Sequence, residues 1–486
     1  MTNEEWLKPG AFEHSPLHAA TRIGDLRGLP LDLLYANLGL QQEAGMSPMH
    51  YLAKLGLLDQ IPPEHFTSDL LDLPSIEGKT PLHILAECGY LHHVPEHLLT
   101  LNSLSRPDNY GETCFHRAAR AGHLTQFPDA VLTEANMLLP DNNGNTPLHR
   151  AVFTLDVDSY PRSILTERNL MVPNKDGKTP LHVACGFTTS DEFLLSAFPE
   201  DVFTPASLLV RDRLGETPLH LLCKTKLGHR FCDLLGSLLS PEDFLVRDSS
   251  GITPMHYAAK HMLLSSLPKR IRPKESLLAK DDNGCTPLHL FFANKELHPD
   301  NCGLVNSLID PAYLLVRDRS GVTPLHHAAM YGHLVVFPTA SVTERALLVK
   351  DDAGRTPLHE AAVRGHGGMV PSEILETNIL VADKRGITVL HEVARCGQIR
   401  SVPRELLTHA ALLEPDKQGH CVLDVISKRG DINKIYGVDL PDTYGGRSCE
   451  GMVGSFWWQK IQLHMLVVKN KSGLVEQDNS PDMDIF

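Results

Sequence analysis

Positive charge, paired cysteines and long apolar runs are all scarce in this sequence. Lys and Arg number 45 against 59 Asp and Glu, which gives a formal net charge of −14 at pH 7. We expect no nucleic-acid partner, because nucleic-acid binding requires a basic surface. The longest apolar stretch near the C-terminus, residues 456–468, is interrupted by Gln and Lys. It is too short and too polar to cross a bilayer, so we expect no membrane partner either.

The ten cysteines include no Cys-x-x-Cys pair. Several of them, such as Cys185 and Cys223, occupy apolar positions of expected helices and are predicted to be small core residues in a reducing compartment. The acidic N-terminus lacks the apolar run of a secretory signal. These features favour a cytoplasmic protein, although delivery into another cell stays open as an alternative.

What the sequence does contain is a four-residue phrase, Thr-Pro-Leu-His, that recurs in exact and looser copies about every 33 residues. A fixed period of this length is the signature of a repeat array. We number the repeats 1 to 13 by their motif residue. In chain order these residues are His18, His50, His83, His116, His149, His182, His220, His256, His289, His326, His359, His391 and Asp424.

The residue types of the phrase predict a turn followed by a helix. Most copies follow an Asp-x-x-Gly tip, where Asp bonds its own backbone and Gly adopts positive φ. Thr is a good helix N-cap, and Pro at the first helical position loses no hydrogen bond. The motif His stands where the partner in a capping box stands. A glycine such as Gly122 or Gly365 then ends the helix.

This arrangement resembles the ankyrin repeat family. The residues that carry the resemblance are the Asp-x-x-Gly tips, the Thr-Pro-Leu-His helix starts, pairs such as Ala118-Ala119, and Gly-His breaks such as Gly122-His123. The resemblance covers about residues 10 to 430. It implies an all-α solenoid of about twelve stacked helix-turn-helix repeats with short hairpin-like turns and a degenerate C-terminal cap. Stacking supplies the core that no single repeat can form.

The chain departs from the family pattern in two ways. In nine repeats a proline falls 12 residues after the motif His, and proline disrupts a helix interior. We therefore expect a split second helix in the repeats with Pro30, Pro62, Pro95, Pro128, Pro161, Pro268, Pro338, Pro371 and Pro403. Repeats 6, 7 and 9 also carry insertions near the turn between the two helices, at residues 186–192, 224–227 and 294–300. Such insertions either contribute to a binding face or reflect drift in a tolerant loop.

The chain divides into a leader at residues 1–10, the array at residues 11–430, and an extension at residues 431–486. In the last repeat Asp424 replaces His, as expected for a helix start that faces solvent. The extension is predicted to contain a helix at residues 455–469 and a disordered acidic tail. The aromatic cluster Phe456-Trp457-Trp458 would either dock on the last repeat or anchor a partner.

The 27 histidines do not predict a metal site. Motif histidines in neighbouring repeats are expected roughly 10 Å apart, whereas zinc ligands lie about 2 Å from one centre. We expect each motif His to satisfy hydrogen bonds within and between repeats. The fragments His359-Glu360 and His391-Glu392 lack the second His of a zinc-protease helix. No catalytic, cofactor-binding or metal residue is predicted, and an enzyme is not expected.

Positions that differ between repeats are the candidates for partner recognition. The residues that form the turn, the helix start and the packing face of each repeat, here called the frame, must be alike for repeats to stack. The middle tip residues and the outer positions of each first helix vary instead. We expect these positions to form one concave surface through which a monomeric scaffold binds a folded protein. The candidate contact residues are Tyr110, Arg150, Arg213, Tyr257, Lys260, His327, Met330, Tyr331, Arg364 and Arg385. The alternative is an effector or toxin-like protein in which the array targets an activity carried by residues 431–486.

Overall fold

The computed structural model describes residues 2–8, 15–42, 44–152, 164–187, 198–225, 229–295, 297, 310–337, 342–429, 443–444 and 447–448. Helices are their main regular elements, joined by turns and loops, and one antiparallel pair of two-residue strands, Thr443–Tyr444 with Arg447–Ser448, is present. The chain divides into two compact units, residues 1–257 with 266–273, and residues 258–265 with 274–486. Within the described ranges, the helices all fall short of the length and apolar character that crossing a membrane requires.

Each repeat begins with a first helix that starts at the Thr-Pro-Leu-His phrase. Proline occupies the first or second position of most of these helices, and a threonine stands at the N-cap, as predicted. Repeats 1–4 and 10–11 end the helix on a glycine in the left-handed conformation. The first helices are Pro16–Ile23, Pro48–Leu55, Pro81–Cys88, Cys114–Ala121, Pro147–Ala151, Pro180–Phe187, Pro218–Leu222, Pro254–Lys260, Pro287–Phe292, Pro324–Tyr331, Pro357–Arg364, Val389–Arg395 and Val422–Arg429.

In most of the described repeats that carry the proline, the second half is broken into short pieces, as the prolines predict. In repeat 3 a 3-10 helix, Leu91–His93, stops before Pro95. A second 3-10 helix follows at Glu96–Leu98, and Thr100 caps a final turn, Leu101–Leu104. Proline allows this because each new piece begins where its missing N–H needs no partner. Pro161 and Pro338 lie outside the described residues.

The same succession of pieces recurs along the chain. The 3-10 helices before the proline position are Leu58–Gln60, Leu91–His93, Leu124–Gln126, Leu263–Ser265, His333–Val336, Gly367–Met369 and Ile399–Ser401. The pieces that follow it are Leu31–Ala36, Pro63–His65, Glu96–Leu98, Asp129–Val131, Glu200–Val202, Lys269–Ile271, Ser372–Asn378 and Arg404–Leu406. The final turns are Ser68–Leu71, Leu101–Leu104, Glu134–Met137, Glu167–Leu170, Pro205–Leu208, Pro241–Leu245, Lys274–Leu278, Pro311–Leu315, Glu344–Leu347 and His409–Leu413.

Two helices depart from this succession. Repeat 7 has no proline at the usual position, and a continuous helix, His229–Leu238, takes the place of the broken pieces. A one-turn helix, Asn3–Leu7, lies within the predicted leader and is closed by a capping box between Thr2 and Glu5. The predicted helix at residues 455–469 and the aromatic cluster Phe456-Trp457-Trp458 lie outside the described residues.

The core of each unit lies between the first helices of neighbouring repeats, which pack in pairs. The motif leucines are almost completely buried, as are small residues such as Ala118 and Ala361. Cys185 and Cys223 are also fully buried and unpaired, in agreement with their predicted role as core residues. Packing in neighbouring pairs is compatible with a helical repeat solenoid.

The motif histidines connect each repeat to the next. In repeat 4, Nδ1 of His116 accepts the backbone N–H of Thr113 at 3.1 Å, while Nε2 lies 3.0 Å from the carbonyl of Asn145 in the next tip. Because Nδ1 is an acceptor, Nε2 carries the proton and donates it to that carbonyl. Equivalent Nε2 contacts of 2.9 to 3.3 Å are made by His50, His83, His149, His182, His220, His289, His326, His359 and His391. Nε2 of His18 instead lies 2.7 Å from the carbonyl of Leu40.

In repeat 13 the motif aspartate makes the first of these two hydrogen bonds, the one to its own helix start. The carboxylate of Asp424 accepts the backbone N–H of Cys421 at 2.8 Å. Asp424 is 7% exposed, so the prediction that this helix start faces solvent is wrong. The short carboxylate reaches the backbone at its own helix start, and this position is covered as in the other repeats.

The tips are small hairpin-like turns. In repeat 4 the N–H of Asp108 donates to the carbonyl of Glu112, and the carboxylate of Asp108 accepts the N–H groups of Tyr110 and Glu112 at 2.9 Å each. Gly111 has a φ of +79°, and a Cβ there would lie 2.5 Å from the backbone N of Asn142 in the next tip. The glycine is therefore required both by its own conformation and by the closeness of the next repeat.

We predict that Gly111→Ala destabilises the protein more than Gly419→Ala. Both glycines have nearly the same positive φ, which costs alanine about 1–2 kcal/mol, but a Cβ at Gly419 has no atom within 4 Å among its described surroundings. The difference in the free energy of unfolding, measured by urea denaturation, isolates the contact between tips. Equal losses in the two variants would contradict close tip stacking.

We also predict that stability falls as the pH is lowered from about 6.5 towards 4. Burial lowers the pKa of His50, His83 and His149 to about 4, and that of His289, His326 and His359 likewise. Unfolded histidines take up protons near their ordinary pKa of 6.5, whereas the folded ones stay neutral, so acid favours unfolding. Each such shift is linked to on the order of 3 kcal/mol.

The measurement is the urea midpoint at several pH values across this window. His83→Gln keeps a side chain that can cap the helix, and it should reduce by about one the number of protons taken up on unfolding. The matched control makes the same substitution at the exposed His97, which lies outside the motif. A midpoint that stays constant from pH 7 to about 4.5 would rule out neutral bridging histidines.

Candidate partner-binding surface

The tips of neighbouring repeats are joined by a ladder of backbone hydrogen bonds within each unit. The second residue of one tip donates its N–H to the carbonyl of the third residue of the preceding tip, at 2.8 to 3.0 Å. The donors are Ile76, Asn109, Asn142, Lys175, Arg213 and Ser249 in the first unit, and Arg319, Asp352, Lys384 and Lys417 in the second. The backbone of the tips is therefore fixed, and only their side chains are free to differ.

Side chains from the first helices reach the tips, so that tips and first helices share one surface. The residue directly after the motif His makes this connection in repeats 4 and 5. Arg117 lies 2.5 Å from Asp108 and 2.9 Å from Glu112, and Arg150 lies 2.7 Å from Asp141 and 2.9 Å from Glu112. Glu112 thus joins the arginines of two repeats.

The network extends back to repeat 3 through Glu87. This carboxylate lies 2.7 Å from Arg120 and 3.5 Å from Arg117. The side chains of Arg120 and Glu87 are each 37% exposed, whereas Arg117 is 5% exposed and Asp108 is fully buried. The network therefore has a buried end that holds repeats together and an exposed end that contacts solvent.

A smaller network of the same kind lies in repeats 11 and 12. Arg355 is 2.9 Å from Glu360 and 3.7 Å from Glu392, which in turn is 2.6 Å from Arg395. Burial raises the pKa of Glu360, while the nearby Arg355 lowers it. Here the residue after the motif His is Glu rather than Arg, so the same position carries opposite charges in different repeats.

Tyr257 is held in place by three neighbours of its own unit. The ammonium of Lys224 lies 4.4 Å from the centre of the Tyr257 ring and pairs with Glu216. The ring of His220 meets the Tyr257 ring edge-on at 6.2 Å, and Glu216 lies 3.5 Å from the tyrosine hydroxyl. Lys224 belongs to the insertion of repeat 7, of which residues 226 and 227 lie outside the described residues.

The ten predicted contact residues differ in how accessible they are. Tyr110, Arg213, Lys260, Arg364 and Arg385 are exposed, and Tyr110 keeps 57% of its surface in contact with solvent. Arg150, Tyr257, His327, Met330 and Tyr331 are half-buried. The structure places Tyr110, Arg150, Arg213 and Tyr257 in the first unit and the other six residues in the second.

Several of these residues already have partners in the chain. Arg150 is occupied by Glu112 and Asp141, so it serves the frame rather than a free surface. Arg385 pairs with Asp383 of its own tip at 3.1 Å. His327 lies edge-on to His289, and Tyr331 stacks on His333 at 6.3 Å. His327, Met330 and Tyr331 share one first helix.

Sequence reasoning missed a groove between repeats 2 and 3. Its volume is about 440 Å³, and it is bounded by two successive tips and the two helices that follow them. The lining residues are Ala44, Met46, Lys54, Ser75, Ile76, Glu77, Lys79, Ile84, Glu87 and Cys88. The one signal in the sequence is Ile76, which stands at a tip position where other repeats carry polar residues such as Asn109 and Asn142.

The chain was compared with known proteins at the level of families and of individual chains. A scan against protein-family models found no match, and a search of curated proteins found none. Across the part of the chain that the structure describes, no group of three or more His, Cys, Asp or Glu side chains could hold a metal ion. The family resemblance therefore stays a proposal that depends on the pattern of residues.

We predict that Arg117→Met costs about 3 kcal/mol of stability, because it leaves the buried Asp108 without its cation, whereas Glu112 keeps Arg150. Arg120→Met in the same helix removes a half-exposed arginine that also pairs with Glu87, and it should cost less than about 1 kcal/mol. Urea denaturation of the two full-length variants measures the contrast. Similar losses would show that the buried end of the network does not hold the repeats together.

Proposed function

We propose that this chain is an ankyrin-repeat scaffold that binds a folded protein partner through its tips and first helices. The proposal is supported by the contrast, within each unit, between a fixed tip backbone and the variable side chains beside it. Hydrogen bonds from motif histidines and between tips fix the backbone. The position after the motif His carries Arg117, Tyr257, His327 or Glu360 on that same frame.

A fixed surface of this kind is suited to binding, because a partner does not have to order it. Tyr257 is already oriented by Lys224 and His220, so little side-chain entropy is lost on contact. Tyr110 stands exposed on a tip whose backbone is fixed by its neighbours. Tyrosine and arginine dominate binding energy at protein interfaces. We therefore assign the main contacts to Tyr110, Tyr257, Tyr331 and Arg364.

The remaining features of the proposal follow from composition. The described cysteines are unpaired and largely buried, which supports a reducing, cytoplasmic environment. The net charge of −14 supports a monomer without a nucleic-acid partner. No cofactor is required for binding of this kind. The variant surface positions point to a protein partner.

The test is affinity capture from a lysate of the source organism with three full-length proteins. We expect the wild type to retain a partner that a four-site alanine variant at Tyr110, Tyr257, Tyr331 and Arg364 binds about 100-fold more weakly, given typical interface hot spots. A matched control replaces four exposed charged residues outside this surface. These are Glu96, Glu134, Lys269 and Glu373.

A second variant replaces Phe456, Trp457 and Trp458 by alanine. If this variant loses the partner while the four-site variant keeps it, binding belongs to the extension and the proposal is wrong. That result would support the alternative, in which the array supports a function carried by residues 431–486. Retention by the extension variant together with loss in the four-site variant places binding on the repeats.

A further inference from the structure

The groove between repeats 2 and 3 has an apolar side that is open to solvent. Met46 and Ile84 contribute to its lining, and Ile76 at its edge is 69% exposed. Ile23 and Leu55, which occupy the same late position in the first helices of repeats 1 and 2, are 70% and 40% exposed. Contiguous apolar surface that is exposed to solvent marks interaction sites, which makes the apolar lining of the groove a candidate for one.

The charges around the groove are not balanced evenly. Glu77 pairs with Lys79 at 2.7 Å, and Glu87 pairs with Arg120 at 2.7 Å. Both carboxylates of the groove are therefore neutralised by nearby cations. Lys54 is exposed and has no ion-pair partner among the described residues. An occupant thus meets one uncommitted positive charge beside an apolar surface.

The dimensions of the groove restrict what could fill it. A volume of about 440 Å³ falls within the range of sites that bind small molecules, and it is large enough for only a few residues of a peptide. It is bordered by fixed tip backbone on two sides, since Ile76 N–H donates to Ala44 and Asn109 N–H donates to Glu77. A short extended segment fits this setting better than the flat face of a folded domain.

We propose that this groove binds an extended acidic peptide segment of the partner, with a large aliphatic side chain next to a carboxylate. The aliphatic side chain packs against Ile76, Met46 and Ile84, and the carboxylate pairs with Lys54. The inference rests on the proposed function, because it names the chemistry of one part of the partner. It adds repeats 2 and 3 to the surface assigned above.

The test uses three fluorescein-labelled nonapeptides with the same central leucine, flanked by Glu and Asp, by Gln and Asn, or by Lys. Fluorescence anisotropy with the full-length protein measures their affinities at low and at physiological salt. The acidic peptide should bind about 10-fold more tightly than the amide peptide, and added salt should reduce this preference. The lysine peptide should bind most weakly.

Variants of the full chain separate the two contacts. Lys54→Gln should abolish the preference for the acidic peptide, Lys54→Arg should keep it, and Ile76→Ser should weaken the acidic and amide peptides alike. The matched control is Lys269→Gln, which removes another exposed lysine of the same unit. Because Lys54 and Ile76 are exposed, these variants should keep the urea midpoint of the wild type.

Equal affinity for the three peptides, or a preference that persists in Lys54→Gln, overturns the assignment of the groove. Failure of the groove is distinguishable from failure of the proposed function. Suppose that the four-site variant loses a captured partner, whereas Lys54→Gln and Ile76→Ser bind it normally. The scaffold proposal then stands, and the assignment of the groove is wrong. A partner bound normally by all of these variants removes the scaffold proposal as well.

Discussion

The hydrogen bonds of the motif histidine determine how each repeat is built and how it meets the next one. One imidazole accepts a backbone N–H at its own helix start and donates to a carbonyl in the following tip, as His116 does between Thr113 and Asn145. The N–H of Thr113 would otherwise be buried without a partner, and the carbonyl of Asn145, which also accepts the N–H of Asp141, would lose its second donor. A neutral ring satisfies them together, whereas a protonated ring cannot accept at Nδ1. The array therefore depends on histidines that stay uncharged.

This bridge fixes the distance between repeats, and the close contacts elsewhere follow from it. Tips approach so closely that Gly111 has no room for a Cβ, and glycine at the end of a first helix lies against a side chain of the next repeat, as Gly56 lies against Tyr90. The tip ladder repeats the same spacing through backbone groups. The histidine bridges, the tips and the helix ends are thus all compatible with the same distance between neighbouring repeats. Mutually consistent contacts of this kind favour a single folded structure.

Features that depend on neighbouring residues could be predicted from the sequence. Local chemistry, which recurs from repeat to repeat in the sequence, explains the helix cap at Thr113, the helix break at Pro95 and the turn at Gly111. The network around Arg117 could not, because its partners Glu87 and Glu112 belong to two different repeats. The groove could not be predicted either, because two tips and two first helices from different repeats form it together. The burial of Asp424 was mispredicted, because helix-start chemistry does not report what covers the residue.

Charged side chains near the tips have two different roles, and the burial of each side chain decides which role it has. Removing the buried Arg117 would leave the carboxylate of Asp108 uncompensated, so this arginine is constrained by the packing of the repeats although its position looks variable in sequence. An exposed group such as Lys54 has no such constraint and gains most from a partner. Variation between repeats therefore does not by itself identify a binding residue. Variation combined with exposure and an uncommitted side chain makes Tyr110 and Lys54 stronger candidates than Arg150.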